Sequence, residues 1–167
     1  VVTERLVIRK LTTEDAEFIV NLLNEPDWIK YIGDRGIRTV EAARQYIIDG
    51  PMTMYMEHGV GLYVIELKEN ARPIGICGLL HRDFLKDVDL GFALLSKYWG
   101  NGYAYEAAQA TLAYGAEQLG YRRIVGFTSI DNEKSANLLQ KLGMKDEGKI
   151  KYTSTTEEVR LFAKEFH

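Results

Sequence analysis

Residues 88–104 constrain this chain more than any other stretch. Residues 88–94 alternate as a strand does, with Val88, Leu90, Phe92 and Leu94 on one face and Asp89, Gly91 and Ala93 on the other. Ala104, Ala108, Leu112, Gly115 and Leu119 then recur at helical spacing, and Gly120 offers a stop. Residues 123–129 read as the next strand. Strand, helix and strand in this order make a β-α-β crossover, which requires a parallel pair. Gly100 and Gly102 stand where the helix begins. Glycine permits positive φ and lets a ligand approach the backbone closely. The unpaired N–H groups of a helix start favour anionic phosphate oxygens. The junction is therefore expected to hold something that carries a pyrophosphate.

Antiparallel hairpins surround the crossover. Residues 5–11 read as a first strand, and Thr12 or Thr13 can cap a helix that runs to about Asn24 and is ended by Pro26. A polar, aromatic loop covers 27–38, and Thr39 caps a second helix ending near Gly50-Pro51. Strands follow at 61–67 and 74–81, with turns at 69–72 and 83–87. Asp131 or Asn132 caps a last helix that stops at Gly143, and 144–152 with 158–166 form a closing hairpin. The expected order is β-α-α-β-β-β-α-β-α-β-β. The fold class is α/β (α+β), a mixed, mostly antiparallel central sheet flanked by about four helices. At 167 residues it is expected to form one domain, 1–167.

The net charge of -3 supplies no bulk positive field for nucleic acid, and none is expected as a direct partner. No apolar run is long enough to span a membrane, and no secretory signal pattern opens the chain. The lone Cys77 excludes an intramolecular disulfide and reads as a small core residue. A cytoplasmic location is the expectation. The cysteine and the scattered His58, His81 and His167 show no metal-ligand spacing, so no metal is expected.

Gly-x-Gly alone does not choose among ligands. A dinucleotide fingerprint needs a third glycine where Tyr105 stands, and a P-loop needs Gly-Lys-Ser/Thr, which is absent. Three stretches taken together are more specific. They are Thr3-Glu4-Arg5-Leu6-Val7-Ile8-Arg9, then Lys97-Tyr98-Trp99-Gly100-Asn101-Gly102-Tyr103-Ala104, then Asn132-Glu133-Lys134-Ser135 followed by Lys141-Leu142-Gly143-Met144. Over almost its whole length the chain resembles the GNAT family of N-acetyltransferases, and within it the RimJ/RimL-like branch of ribosomal-protein N-acetyltransferases. That family's acetyl-CoA signature is Gln/Arg-x-x-Gly-x-Gly/Ala. Lys97 takes the first position here, keeping the charge but losing the bidentate geometry of arginine.

The resemblance implies a layout. The backbone from Gly100 to Tyr105, including Asn101, Gly102, Tyr103 and Ala104, would hold the CoA pyrophosphate. The strand ending in Phe92, Ala93 and Leu94 would splay from the strand at 124–129, and pantetheine would lie between them. Asn132 matches the position that reaches the pantetheine arm. The implied activity is acetyl transfer from acetyl-CoA to a primary amine, either a peptide N-terminus or a small amine, by a monomer or homodimer. A catalytically silent acyl-CoA-binding module is the alternative.

The chemistry narrows the remaining residues. The attacking amine must be neutral, although free α-amines have pKa values of about 7.7–8.0 and lysine amines about 10.4. A base or a water chain must take a proton. Asp89, on the small-residue face with Gly91 and Ala93, is the candidate base, acting through water; a structural carboxylate paired with Arg or Lys is the competing reading. Ser135 lies eight residues before Gly143, as a serine does in the RimJ/RimL branch, and is the candidate acid or thiol-orienting group. It equally suits the first turn of a capped helix. The tyrosine that many superfamily members carry four residues before that glycine is replaced by Leu139. His81, Trp28 and Tyr31 are candidates for the acceptor side, against the plainer readings of a solvated turn histidine and loop-packing aromatics.

Overall fold

A computed structural model describes residues 1–32, 34–151 and 157–167. Its strands are β1 (Leu6–Lys10), β2 (Leu62–Leu67), β3 (Pro73–Leu80), β4 (Asp89–Leu94), β5 (Arg123–Ser129), β6 (Lys145–Lys151) and β7 (Glu158–Glu165). They form one sheet in the order β1-β2-β3-β4-β5-β7-β6. Every neighbouring pair is antiparallel except β4 and β5. The closing hairpin folds back so that β7, not β6, lies beside β5. Tyr152, placed at the end of that hairpin's first strand by the sequence, lies outside the described residues.

The helices are α1 (Ala16–Leu23), α2 (Pro26–Tyr31), α3 (Val40–Ile47), α4 (Thr53–His58), α5 (Tyr103–Glu117) and α6 (Glu133–Lys141). Two prolines depart from the expected reading. Pro26 follows the end of α1 but also opens α2 as its first helical residue. A missing N–H costs nothing at that position, and the fixed φ of proline suits it. Pro51 does not end the second helix. The chain continues from α3 through a π turn at Ile48–Met52 into α4, which Gly59 closes at φ 71°. The wider turn accommodates a residue without an N–H whose ring would clash in α-helical geometry. No helix among the described residues is long and apolar enough to cross a membrane.

The sheet separates two apolar clusters. On one side Leu90, Leu94 and Ile124 pack with Ala107, Ala108 and Leu112 of α5. On the other, Val64 and Ile76 pack with Ile19 and Leu22 of α1 and Ala43 and Ile47 of α3, and Ala93 joins this second cluster. The two expected faces of β4 are therefore real. Cys77 is fully buried in the α5 cluster, and burial pushes its thiol up to about 12.

The start of α5 is fixed by the segment that leads into β1. Glu106, in the first turn of α5, accepts from the Thr3 hydroxyl at 2.5 Å, the Arg5 backbone N–H at 2.9 Å and Arg5 Nε at 2.7 Å. The Arg5 guanidinium also lies 4.4 Å from the centre of the Tyr103 ring. The Thr3 to Arg5 motif thus orients the helix N-terminus at which the glycines stand.

Candidate active site

The parallel pairing is minimal. β4 and β5 share one register pair, Asp89 with Val125, and the Val125 N–H donates to the Val88 carbonyl at 3.0 Å. β3 occupies the other edge of β4, and β7 the other edge of β5. From Leu90 onward the facing edges of β4 and β5 carry no ladder, so their backbone groups are available to a guest that runs as a strand.

A cleft of about 630 Å³ opens along this divergence. Phe92, Ala93 and Leu94 line it from β4, Trp28 and Tyr31 from α2, Gly100, Gly102, Tyr103 and Ala104 from the α5 junction, and Asn132 and Ser135 from the start of α6. Gly100 and Gly102 have φ of 81° and 79°, the left-handed region that a β-carbon disfavours. A Cβ on Gly100 would meet nothing within 4 Å, so the loop is open to a ligand rather than packed against protein. Two buried polar atoms among the described residues have no partner, Trp28 Nε1 and Ser129 Oγ, and the first belongs to a cleft-lining side chain. Open glycine turns at a helix start, free strand edges and an orphaned donor in the wall fit an elongated ligand with a pyrophosphate and amide groups.

Asn132 caps α6, its Oδ1 accepting from the Ser135 N–H at 3.2 Å. That bond seats Ser135 on the first turn with its side chain at the cleft. Asn101 braces the turn from outside the cleft lining, donating from Nδ2 to the carbonyls of Tyr98 and Trp99, each at 3.3 Å. Lys97 is exposed, stacks at 5.3 Å over Tyr98 and does not line the cleft. Two cations that the sequence reading passed over do line it. Lys134 Nζ stands 4.8 Å from the centre of the Trp99 ring, and Lys141 Nζ 4.5 Å from that of Tyr105. The signal was their seven-residue spacing, which puts both on one face of α6.

Asp89 lies apart from the cleft lining, at the point where β4 and β5 meet. It is 1% exposed and accepts from Arg82 Nε at 3.0 Å. Burial raises its carboxyl to about 6, against the pull of Arg82. The structure therefore contains the ion pair of the competing reading. A carboxylate that titrates near neutrality is also suited to accept a proton. His81 is not brought to the cleft. Its ring stacks on His58, with centroids 4.1 Å apart and planes 8° from parallel, and its N–H meets Met54 Sδ at 3.5 Å. Among the described residues no cluster of three or more His, Cys, Asp or Glu side chains has the arrangement of a metal site.

A crossover sheet splayed at its single parallel pair, with a glycine turn at the mouth of the splay, defines an acyl-CoA-type transferase scaffold. The acetyltransferase (GNAT) domain model matches residues 5–145, and the chain belongs to that family. It is 31% identical over 150 residues to the N-acetyltransferase p20 of Bacillus licheniformis, covering 89% of this chain and 84% of that protein. A GNAT-family acetyltransferase from Bacillus anthracis superposes with a TM-score of 0.81 at 26% identity, covering 99% of this chain and 97% of that one. RimL, the ribosomal L7/L12 α-N-protein acetyltransferase in complex with coenzyme A, shares the fold at a TM-score of 0.84 and 17% identity, covering 99% and 97%.

Proposed function

We propose that this protein is an acetyl-CoA-dependent N-acetyltransferase of RimJ/RimL-like type. It transfers an acetyl group to a primary amine, either a protein N-terminal α-amine or a small-molecule amine, by direct attack on the thioester. The observation that carries this reading is the single-pair contact of β4 and β5 with the Gly100–Gly102 turn at the open end. Pantetheine would run along the free edges, with its pyrophosphate on the N-terminus of α5 and Lys134 and Lys141 near the phosphates. Asn132, whose Oδ1 already caps α6, has its amide nitrogen left to reach the pantetheine arm.

In the reaction the amine nitrogen forms a bond to the acetyl carbon as the carbon–sulfur bond breaks. Asp89 accepts the amine proton through water, because its own carboxylate has almost no exposed surface. Backbone N–H groups near Phe92 to Leu94 stabilise the oxyanion. Ser135 orients or protonates the departing thiolate. Trp28 and Tyr31, on the α2 side, shape the approach of the acceptor, and we assign the protein to the cytoplasm as one domain, monomeric or homodimeric.

The test is to incubate the purified protein with acetyl-CoA and a panel of peptides and polyamines, and to read the acceptors by mass spectrometry. The expected result is enzyme-dependent addition of one acetyl group to at least one amine class. Tight CoA binding with no acetylated acceptor would instead support a silent acyl-CoA-binding module.

A further inference from the structure

Three groups with N–H or O–H donors to spare, Arg82, Arg35 and Tyr46, act on one another on the sheet face opposite α5, and Arg82 among them binds Asp89. Arg82 gives Asp89 only its Nε. Its guanidinium lies 5.0 Å from the centre of the Phe127 ring, and among the described residues no protein acceptor sits on its two terminal nitrogens. Arg35, in the segment between α2 and α3, lies 5.7 Å from the Tyr46 ring centre and forms no ion pair among the described residues. Tyr46, on α3, makes no hydrogen bond through its hydroxyl among the described residues and feels both guanidinium groups. Burial raises its phenol above the ordinary tyrosine range, while Arg35 and Arg82 pull the other way. Two acids of the flanking segments are already engaged: Asp34 binds Arg38 at 2.7 Å and Asp87 binds Arg123 at 3.1 Å.

Arg9, Arg38, Arg123 and Arg160 each meet a carboxylate through a terminal nitrogen. Arg82, like Arg5, is held side-on through Nε, so the end-on fork of its terminal N–H groups is turned from the carboxylate it orients. A planar fork with free parallel N–H groups matches a carboxylate in bidentate geometry. Stacking on Phe127 fixes the plane of that fork. Arg35 and Tyr46 add a second charge and a hydroxyl donor on the same side.

We infer that the acceptor is an amine that also carries a carboxylate, and that Arg82, Arg35 and Tyr46 recognise this carboxylate while the amine faces the Asp89 end of the splay. The inference rests on the acetyltransferase reading above. The ligand chemistry is an amino acid or the acidic side chain of a peptide near its N-terminus. Polyamines lack the recognised group and meet two guanidinium groups instead, so they are disfavoured.

Matched pairs test this. Free amino acids are compared with their C-terminal amides, and peptides with Asp or Glu at the second position with their Asn or Gln counterparts, as acceptors for the wild-type protein. In parallel, N-acetylated amino acids and their amides are titrated into the CoA-bound protein, which reads recognition without turnover. Carboxylates are expected to be favoured on the order of 10- to 100-fold, the worth of hydrogen bonds to a charged group. The amino-acid and peptide arms separate the two sources. Arg35→Gln is expected to collapse the carboxylate-to-amide ratio, mainly through KM. Equal use or binding of carboxylate and amide partners overturns the inference, even where acetylation itself is robust. Preferential carboxylate binding with no acetylation of any acceptor leaves the inference standing and overturns the acetyltransferase reading.

Discussion

The two ends of the β4–β5 splay are built from different materials. At the Gly100–Tyr103 end the working groups are main-chain N–H groups, placed by two left-handed glycines and by the Thr3–Arg5 clamp on Glu106. At the Asp89 end they are side chains, a buried carboxylate held by a partly buried guanidinium that rests on an aromatic ring. A backbone site is indifferent to most substitutions nearby and can be shared across many relatives. A side-chain site changes with single residues. On the proposed function, the donor half therefore rests on the backbone of the fold, and acceptor choice on the side chains of this chain.

Substitutions at Asp89 are expected to break the second end most severely. Asp89→Asn should lower kcat/KM about 10²- to 10⁴-fold above pH 6, the usual contribution of a general base. In the wild type, activity should fall as pH drops through about 6, where Asp89 takes up its proton, and this acid limb should vanish in the variant. An unaltered pH–rate profile would remove Asp89 as the base.

The same substitution sharpens the comparison through stability. Asp89 has its carboxyl raised from 3.8 to about 6 in the folded protein. A group raised in this way contributes stability that is present below pH about 4 and lost as pH rises through about 6. At neutral pH Asp89→Asn should therefore raise stability by up to about 3 kcal/mol, less whatever is lost by leaving Arg82 without a carboxylate. Denaturant titration at pH 7 and pH 4 checks this, and the gain should shrink at the lower pH. A variant that is less active but more stable would mark the acceptor end as a functional strain point.

Smaller effects are expected at the donor end. Ser135→Ala should lower kcat about tenfold, the scale of one hydrogen bond to a charged group, with the affinity for CoA retained. Lys134→Ala and Lys141→Ala should each weaken CoA about two- to fivefold, as exposed ion contacts do, with the loss shrinking in high salt. Equal affinities in calorimetric titration would place both lysines outside the phosphate site.

The two ends also differed in how far the sequence revealed them. Strand β5 and the faces of β4 were legible because alternation has a short period and few alternatives. The glycine junction was legible because positive φ leaves glycine few substitutes, and the splay followed once three motifs occurred in order. Pro26 does follow the end of α1, but the helix it opens was missed because proline marks a helix start as readily as a helix end, and Pro51 was misread because a π turn has no local signature. Lys134 and Lys141 were passed over because lysines on an exposed helix face look alike until the opposing wall is known. The Arg82–Asp89 pair joins a turn to a strand end seven residues on, and the stacking of His81 on His58 joins the residue after β3 to α4. Such contacts depend on tertiary placement, which no spacing rule supplies.

The claim that the β4–β5 splay is the acetyl-CoA site is tested most directly by titrating CoA into the wild-type protein and Gly102→Val by calorimetry. A Cβ at Gly102 would meet only Arg5 Nη2, at 3.4 Å and at the end of a flexible side chain, so no core contact is displaced; the strain of a β-branched residue at φ 79° falls on the turn and its ligand. Circular dichroism confirms that the variant is folded. Stoichiometric binding is expected for the wild type, with an affinity lower by about 10- to 100-fold in the variant, as backbone bonds to phosphate are lost. A folded variant that binds CoA as tightly as the wild type would contradict the claim.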